Sequence, residues 1–289
     1  MVATKYSICA THYNNAEYIK ESAGVLAEMI EDRPEWELVI TDAGSDDGSL
    51  EYLRDLADQQ DNVRVVVEKG INIGEGRQLA TKIAGGDILV QPMDLDAAYY
   101  QDDRIIDITH FYEDIIENEG EVLLSAGIAF CTANLCKELG GWREFATNEE
   151  TELKRRALRQ DKLRFCPIRV FDQHSGSDKG LISEIKRFYN NSTAKFQTGV
   201  RFWHMLLFWL RNTEGLKPKF GAVLVFPFSW LAAKRSGTSF TDSYDKYDEY
   251  LIDFKKTVYQ KNPELWLDPP ESLAEYVNEA EIEHIQSRE

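Results

Sequence analysis

The chain has 289 residues, of which 43% are hydrophobic and 29% are charged, a composition typical of a globular protein and not of a disordered chain. Its formal net charge of -17 argues against a general nucleic-acid-binding protein, because such proteins need a basic surface to displace counterions. The first residues show no basic region followed by a long apolar core, so we expect no signal peptide and a cytoplasmic location.

The first 96 residues alternate short β-type runs with segments of helical periodicity, a pattern typical of a parallel sheet covered by helices. Four strands are predicted, at residues 6–10, 37–41, 63–67 and 87–91. The apolar spacing predicts helices between them, the third over residues 74–84. The predicted fold class is therefore α/β, with a doubly wound, Rossmann-like and mainly parallel sheet that has helices on both faces.

The predicted elements become less regular in the second part of this α/β region. Helices and short strands are predicted there at residues 102–118, 122–125, 128–131 and 149–160. We therefore expect one α/β domain over residues 1–185, divided into a first half at 1–96 and a second half at 97–185.

The charge changes abruptly after this domain. Residues 186–240 contain nine basic residues and one acidic residue, a net charge of +8, whereas residues 241–289 contain five basic and thirteen acidic residues, a net charge of -8. The basic segment also holds two apolar runs, at 202–210 and 220–233, each shorter than the roughly twenty residues of a membrane-spanning helix. We expect a helical, apolar and basic appendage at 186–240, followed by an acidic helical tail. The appendage fits a membrane-surface anchor, a dimer interface or helices buried against the first domain.

Ligands of doubly wound sheets bind outside the carboxyl ends of the strands, so residues just past each strand are candidates for a site. Asp94 and Asp96 follow an apolar strand and enclose Leu95. Two carboxylates at the end of a buried strand repel each other, and a bound divalent cation compensates for that repulsion. Oxygen ligands suit Mg²⁺ or Mn²⁺, which can bridge carboxylates and a diphosphate. Most isolated D-x-D sequences are only solvated carboxylates.

Two further strand ends carry candidate residues. Asp42 begins a small-residue turn, and its carboxylate can accept from the ring N–H of a pyrimidine base. Asn72 to Gln78 opens the third helix with two glycines, and a helix N-terminus is a ready anion site, where Arg77 can reach a phosphate. A glycine-rich cap with a solvated Arg77 is the alternative.

Together these segments resemble the family 2 glycosyltransferases of the GT-A fold, over about Tyr6 to His174. The resemblance is carried by Thr11-His12-Tyr13-Asn14 after the first strand, the turn from Asp42 to Ser49, the helix start from Asn72 to Arg77, and Asp94-Leu95-Asp96. It implies that Asp42 contacts the nucleotide base and that Asp94 and Asp96 hold the ribose, the metal and the diphosphate. Thr11 and Tyr13 are further candidates for donor binding.

The resemblance continues in the second half of the domain. Gly140 to Glu144 is similar to the family's G-G-F-D-E, and Asn148 to Leu153 is similar to its E-D-x-D-L, in which the second acid is the general base. That position is Glu150, where the family has the shorter Asp, so Glu149 is a rival. Acids in a first helical turn can also merely complement the helix dipole. His174 falls where related enzymes place a metal or diphosphate ligand, although a lone histidine can also be a plain surface residue.

The predicted protein is an inverting glycosyltransferase that uses Mn²⁺ or Mg²⁺ and a nucleoside diphosphate sugar, with UDP favoured over GDP as the carrier. Its acceptor would be a hydroxyl group or a lipid-linked phosphate or saccharide. We expect no nucleic-acid partner; a peripheral membrane contact through 200–235, at the cytoplasmic face, and a homo-oligomer both agree with the sequence. The alternatives are a sugar nucleotidyltransferase and a non-catalytic, membrane-associated GT-A-like scaffold. A nucleotidyltransferase would carry a glycine-rich basic loop after the first strand, which residues 11–15 lack.

Overall fold

The central sheet has seven strands and is parallel on one side. Residues 3–173, 181–237, 258 and 260–286 are described by the structure, a computed structural model. The strands in chain order are β1 (Tyr6–His12), β2 (Trp36–Asp42), β3 (Val63–Val67), β4 (Ile88–Asp94), β5 (Ala97–Tyr99), β6 (Leu123–Ala126), β7 (Ile128–Thr132), β8 (Leu163–Phe165) and β9 (Phe171–Gln173). The sheet order is β3-β2-β1-β4-β7-β6-β8, and β5 pairs with β9 separately. Strands β1 to β4 are parallel, whereas β7 runs antiparallel to β4 and β6.

Helices cover both faces of this sheet. Those of the α/β domain are a π-helical turn (Lys20–Gly24) that leads into α1 (Val25–Ile30), then α2 (Ser49–Gln59), α3 (Ile73–Ile83), α4 (Arg104–Glu119), α5 (Ala133–Glu138) and α6 (Glu149–Arg159). Strand side chains alternate between two cores: Ile8 and Ala10 pack with α1 and α4, whereas Cys9 packs with α3, α5 and α6. The predicted α/β architecture is therefore confirmed, and the predicted strands and helices lie within a few residues of the observed ones.

Three further helices form a unit with its own core. They are α7 (Leu181–Gln197), α8 (Phe202–Asn212) and α9 (Leu216–Arg235). Phe188, Trp209 and Phe226 pack against one another at its centre, with ring centroids 5.2 to 6.0 Å apart. The unit contacts the α/β domain where Thr147 Oγ1 donates to Asn191 Oδ1 at 2.6 Å, just before α6. Within the described ranges, no helix combines the length and the apolar character that crossing a membrane requires.

The last described segment packs onto the α/β domain. It consists of two 3₁₀ turns (Pro263–Leu265 and Glu271–Tyr276) and α10 (Glu279–Gln286). Leu267 N donates to Phe165 O at 2.8 Å, and Leu273 and Ile285 enter the two cores of the sheet. Residues 238–257, which include the first part of the acidic segment, lie outside the described residues. The domain boundaries at 185 and 240 stay a prediction.

Gly127 joins β6 to β7 and gives a test of this packing. Its φ is +73°, and a Cβ there would overlap the Val170 side chain and lie 2.6 Å from Ile168 O. Gly120 has a similar φ of +84° with no atom within 4 Å of such a Cβ. We expect Gly127→Ala to lower the free energy of unfolding by about 2–5 kcal/mol, and Gly120→Ala by only about 1–2 kcal/mol. Urea unfolding followed by circular dichroism measures both; equal losses would contradict the packing.

Candidate functional site

A cleft of about 750 Å³ opens at the carboxyl ends of β1, β2 and β4. Its lining residues are Thr11, His12, Tyr13, Asn15, Thr41, Ala43, Gly44, Lys69, Gly70, Ile71, Asn72, Ile73, Gly76, Asp94, Leu95, Asp96 and Ala146. The strand ends predicted to carry the site therefore meet in one place. This volume falls within the range of about 300–1,000 Å³ that is common for small-molecule sites.

Helix α3 approaches the strand ends closely because Gly76 faces them. A Cβ at Gly76 would lie 3.2 Å from Thr11 Cγ2 and 3.3 Å from Thr41 Oγ1. Thr41 Oγ1 donates to Gly76 O at 2.9 Å and fixes the approach. Asn72 caps the helix by accepting from Glu75 N at 3.0 Å. The Gly74 N–H is also occupied, by Phe145 O at 3.0 Å, so two of the N–H groups that the sequence suggested for anion binding already have partners.

Asp42 organises the turn that follows β2. It is fully buried, and its Oδ1 accepts from the N–H groups of Gly44 and Ser45, each at 2.8 Å. Its Oδ2 accepts from Ser45 Oγ at 2.6 Å. The adjacent Ala43 and Gly44 line the cleft, whereas Asp42 lies behind them. The carboxylate therefore shapes the wall of the cleft, and its contact with a base stays a prediction.

The loop after β1 is bound to the same turn, partly through a histidine that the sequence did not single out. His12 Nε2 lies 2.7 Å from Ser49 Oγ, which in turn donates to Asp47. Asp47 Oδ2 accepts from Ala16 N at 2.8 Å. Burial lowers the pKa of His12, so its imidazole is neutral near pH 7. Neighbouring Tyr13 is 62% exposed at the cleft.

Asp94 and Asp96 both line the cleft, in a loop whose backbone is fixed. Between them, Leu95 O accepts from Asn15 Nδ2 and from Ser22 Oγ, each at 2.9 Å. Tyr99 OH donates to Asp94 O at 3.0 Å. These hydrogen bonds hold the backbone while the carboxylates remain accessible: 46% of the Asp94 side chain is exposed.

Arg77 lies buried between two carboxylates, which differs from the expected position at a phosphate. Its Nη2 donates to Asp94 Oδ1 at 2.7 Å, and its Nη1 donates to Glu149 Oε1. The guanidinium also lies 5.1 Å from the Trp142 ring centroid. Burial alone would lower the pKa of Arg77, but Asp94 and Glu149 raise it above its usual value. Arg77 thus joins the end of β4 to the start of α6, and its role in donor binding stays a prediction.

The two acids proposed as the general base have different environments. Glu149 is buried, and burial raises the pKa of its carboxyl group, although Arg77 opposes that shift. The Glu150 side chain is 35% exposed and pairs with Lys154 one turn along α6. His174, which was predicted as a ligand of the metal or the diphosphate, lies outside the described residues.

A buried ion network fixes the loop that contains the G-G-W-R-E sequence. Glu152 accepts from Arg143 Nη1 at 2.8 Å and from Arg156 Nη2 at 2.7 Å. Arg156 Nη2 also donates to Gly141 O at 2.7 Å. The sequence treated Glu152 only as part of a helix start, and its burial is the signal that shows its structural role.

The charge of the cleft is dominated by Asp94 and Asp96. Among the lining residues that the structure describes, Lys69 is the one cation; it follows β3, at a predicted strand end, but no motif singled it out. Its side chain lies against the glycine turn after β2, where a Cβ at Gly44 would be 2.8 Å from Lys69 Cγ. A doubly charged diphosphate would therefore meet two carboxylates and one ammonium group.

The residues fit a hard divalent cation that shares its ligands with a substrate. No group of three potential His, Cys, Asp or Glu ligands occurs in the described part of the chain. Mg²⁺ and similar ions are commonly held by one or two carboxylates together with substrate phosphates and water. Arg77 contacts only Oδ1 of Asp94, and Oδ2 has no hydrogen-bond partner among the described residues. Asp94 and Asp96 therefore supply a suitable, incomplete oxygen donor set.

Replacement of Arg77 tests the buried ion triad. Arg77→Met leaves the Glu149 carboxylate buried without its cation, so we expect a loss of about 3–5 kcal/mol in unfolding free energy at pH 7. Because burial raises the folded-state pKa of Glu149, its neutral form becomes available as the pH falls, and the loss should shrink towards pH 5. Urea titrations at both pH values measure this.

The double variant Arg77→Met/Glu149→Gln is the control for that experiment. It carries no buried carboxylate at residue 149, so its stability should exceed that of Arg77→Met at pH 7 and should depend less on pH. A loss in Arg77→Met that stays constant with pH would contradict the role assigned to Glu149.

Comparisons with known proteins agree with the fold. Residues 7–114 match the sequence model of Glycosyl transferase family 2. No curated protein matches the chain significantly. The mannosyltransferase PcManGT from Pyrobaculum calidifontis, solved with GDP-Man and Mn²⁺, is 15% identical with a TM-score of 0.52, over 91% of this chain and 82% of that one. S. aureus TarS 1-349 in complex with UDP-GlcNAc is 16% identical with a TM-score of 0.51, over 95% and 84%. The matched residues span β1, β2, β3, β4 and most of α4, so this part of the chain is similar to a family 2 glycosyltransferase domain, and the fold is similar to that of the two solved glycosyltransferases.

Proposed function

We propose that this protein transfers a sugar from a nucleoside diphosphate sugar, in a reaction that depends on Mn²⁺ or Mg²⁺ and inverts the anomeric configuration. The observation that carries the proposal is the pair Asp94 and Asp96 in the lining of a cleft where Lys69 is the one cation among the described lining residues. A diphosphate carries negative charge of its own, so such a cleft repels it unless a divalent cation is present.

Asp94 and Asp96 would hold the metal ion together with oxygens of the diphosphate. When bound, the ion would stabilise the negative charge of the departing nucleoside diphosphate. Lys69 adds a second positive charge at the cleft. The buried Arg77 orients Asp94 from behind, since its Nη2 donates to Asp94 Oδ1 and Arg77 does not line the cleft.

The nucleoside would lie against the turn after β2, with UDP favoured over GDP as the carrier. Asp42 shapes this turn, and Thr11 and Tyr13 line the cleft beside it. Two structural neighbours are complexes with UDP-GlcNAc and with GDP-Man, so the fold accommodates either carrier. The N3–H of uracil is the ring N–H that the Asp42 carboxylate was expected to accept, and the comparison of UDP with GDP below tests that preference.

Glu150 would act as the general base. Its partly exposed carboxylate can take the proton from an acceptor hydroxyl, which then attacks the anomeric carbon on the face opposite the leaving group. Glu149 is less suited to this task, because it is buried and bonded to Arg77. Its burial supports a role in positioning Arg77 and the start of α6.

The acceptor side faces the helical unit. Asn191 on α7 contacts Thr147, two residues before Glu149. A lipid-linked phosphate or saccharide held near α7–α9 would therefore approach the loop that carries the general base. We accordingly propose a lipid-linked acceptor at the cytoplasmic face of a membrane.

Replacement of Asp96 tests the donor site. We expect Asp96→Ala to abolish the Mn²⁺-dependent part of UDP-sugar binding, a loss of at least about 2 kcal/mol, because one metal-ligand carboxylate is gone. Calorimetry with UDP and GDP, each with and without Mn²⁺, measures binding and base preference together. Asp46→Ala is the matched control, since Asp46 is an exposed acid on the neighbouring turn that does not line the cleft. Unchanged affinity in Asp96→Ala would refute the site.

Replacement of the two glutamates separates base from positioning residue. We expect Glu150→Gln to retain donor binding and to lower transfer by about 10²–10⁴-fold, the usual contribution of general base catalysis. Glu149→Gln should affect stability and donor affinity together, because it changes the partner of Arg77. Initial rates and calorimetry on both variants provide the data. Normal turnover in Glu150→Gln would show that another residue is the general base.

A further inference from the structure

Helix α9 is apolar on two opposite faces, and only one of them is covered. Ala222, Phe226 and Ala233 are buried in the core of the helical unit. The opposite face forms a stripe of exposed apolar side chains at intervals of three or four residues. The members of this α9 stripe and their exposed fractions are Leu216 (86%), Phe220 (65%), Leu224 (52%), Phe228 (68%) and Leu231 (39%).

The neighbouring helices also expose apolar side chains. Trp203 and Leu207 on α8 are 68% and 46% exposed, and Ile182 on α7 is 84% exposed. Apart from Tyr13 in the cleft, every exposed large hydrophobic side chain of the described residues lies on α7, α8 or α9. Soluble monomers rarely concentrate exposed apolar side chains in this way, so the surface indicates a binding partner.

The charges of the helical unit are opposite to those of the rest of the chain. Residues 181–237 hold nine basic and two acidic residues, a net charge of +7, which leaves -24 for the remainder of the -17 chain. Basic residues stand near the two ends of the α9 stripe: Lys219 lies in its first turn, and Lys234 and Arg235 follow its last member. An apolar face with basic ends is the pattern of helices that lie at the surface of an anionic bilayer.

We propose that the exposed face of α7–α9 docks on an anionic lipid surface. Helix α9, about 30 Å long for its 20 residues, lies in the plane of the membrane with its stripe below the headgroups. Lys234, whose Nζ is 3.9 Å from the Trp230 ring centroid, and exposed Arg201 line a neighbouring pocket of about 410 Å³ and face the headgroup phosphates.

A second copy of the chain is a poorer occupant of this surface. A symmetric dimer would bring two faces of charge +7 together, and like charges at an interface repel. The acidic α/β domain would itself be repelled by anionic lipid, so attraction is confined to the α7–α9 face and sets the orientation of the protein. This inference deepens the proposed function, since a docked face would bring a lipid-linked acceptor to the loop that precedes α6.

The test is sedimentation of the full chain with vesicles of phosphatidylcholine alone and of phosphatidylcholine mixed with phosphatidylglycerol. We expect the wild type to bind the mixed vesicles far more tightly.

Phe220→Gln/Phe228→Gln keeps the net charge and uses a good helix former, and it should weaken binding by on the order of a hundredfold or more. Lys234→Glu/Arg235→Glu should weaken it at least about 25-fold, since each basic residue near such a surface contributes about fivefold.

Lys82→Glu/Lys137→Glu is the matched control for charge, because both lysines are exposed on the α/β domain and the net charge changes equally. This control should retain most of the vesicle binding. Mn²⁺-dependent donor binding, measured by thermal shift, should be unchanged in all three variants and shows that each is folded. Absence of donor binding in the wild type would refute the proposed function and leave the vesicle result valid.

Three results would overturn the membrane proposal. The first is equal sedimentation of the wild type and Phe220→Gln/Phe228→Gln. The second is an equal loss of vesicle binding in Lys234→Glu/Arg235→Glu and in Lys82→Glu/Lys137→Glu. That result would show that vesicle binding depends on the net charge of the chain and not on the α7–α9 face. The third is a wild type that ignores both kinds of vesicle and self-associates in light scattering, with Phe220→Gln/Phe228→Gln monomeric.

Discussion

Burial of the Arg77 guanidinium between Asp94 and Glu149 joins the two halves of the α/β domain. The cation lies where the end of β4, the first turns of α3 and the start of α6 converge, so each of those elements must be in place before the charges balance. Glycines make the convergence possible, because Gly76 admits α3 to the strand ends and Gly74 lies against the chain near Phe145. Arg77 thereby holds Asp94, a carboxylate of the cleft, and also the start of α6, the helix that carries the proposed base.

That arrangement divides the acids of the site by their access to solvent. Glu149 and Glu152 are buried and neutralised by arginines, and they determine the geometry of the 139–152 region. Asp94, Asp96 and Glu150 remain at least partly accessible, which suits groups that meet a cation or a substrate. Buried ion pairs contribute little net stability when desolvation is counted, so their value here lies in specifying which acids face the cleft.

The acidity of the protein causes the same electrostatic repulsion of anionic ligands at two surfaces, the cleft and the helical unit. A diphosphate and an anionic bilayer are both repelled by a chain of net charge -17. At the cleft the proposed solution is a bound divalent ion between Asp94 and Asp96. At the helical unit the proposed solution is the concentration of basic residues in 181–237, the same segment that carries the exposed apolar stripe. The α/β domain and the helical unit are in contact at Thr147 and Asn191, next to Ala146 of the cleft lining, where the proposal brings donor and acceptor together.

The sequence by itself determined the α/β alternation, the strand ends and the small-residue turns, because these depend on periodicity and on local backbone preferences. It also located Asp94, Asp96 and Glu150 at element ends, where they are observed. Only the tertiary structure decided that Arg77 pairs with two carboxylates, that Lys69 and His12 reach the cleft, and that Asp42 lies behind its turn. Those outcomes depend on contacts between residues far apart in the chain. The same holds for α9, whose sequence is apolar on every side and could not indicate which face its neighbours leave uncovered.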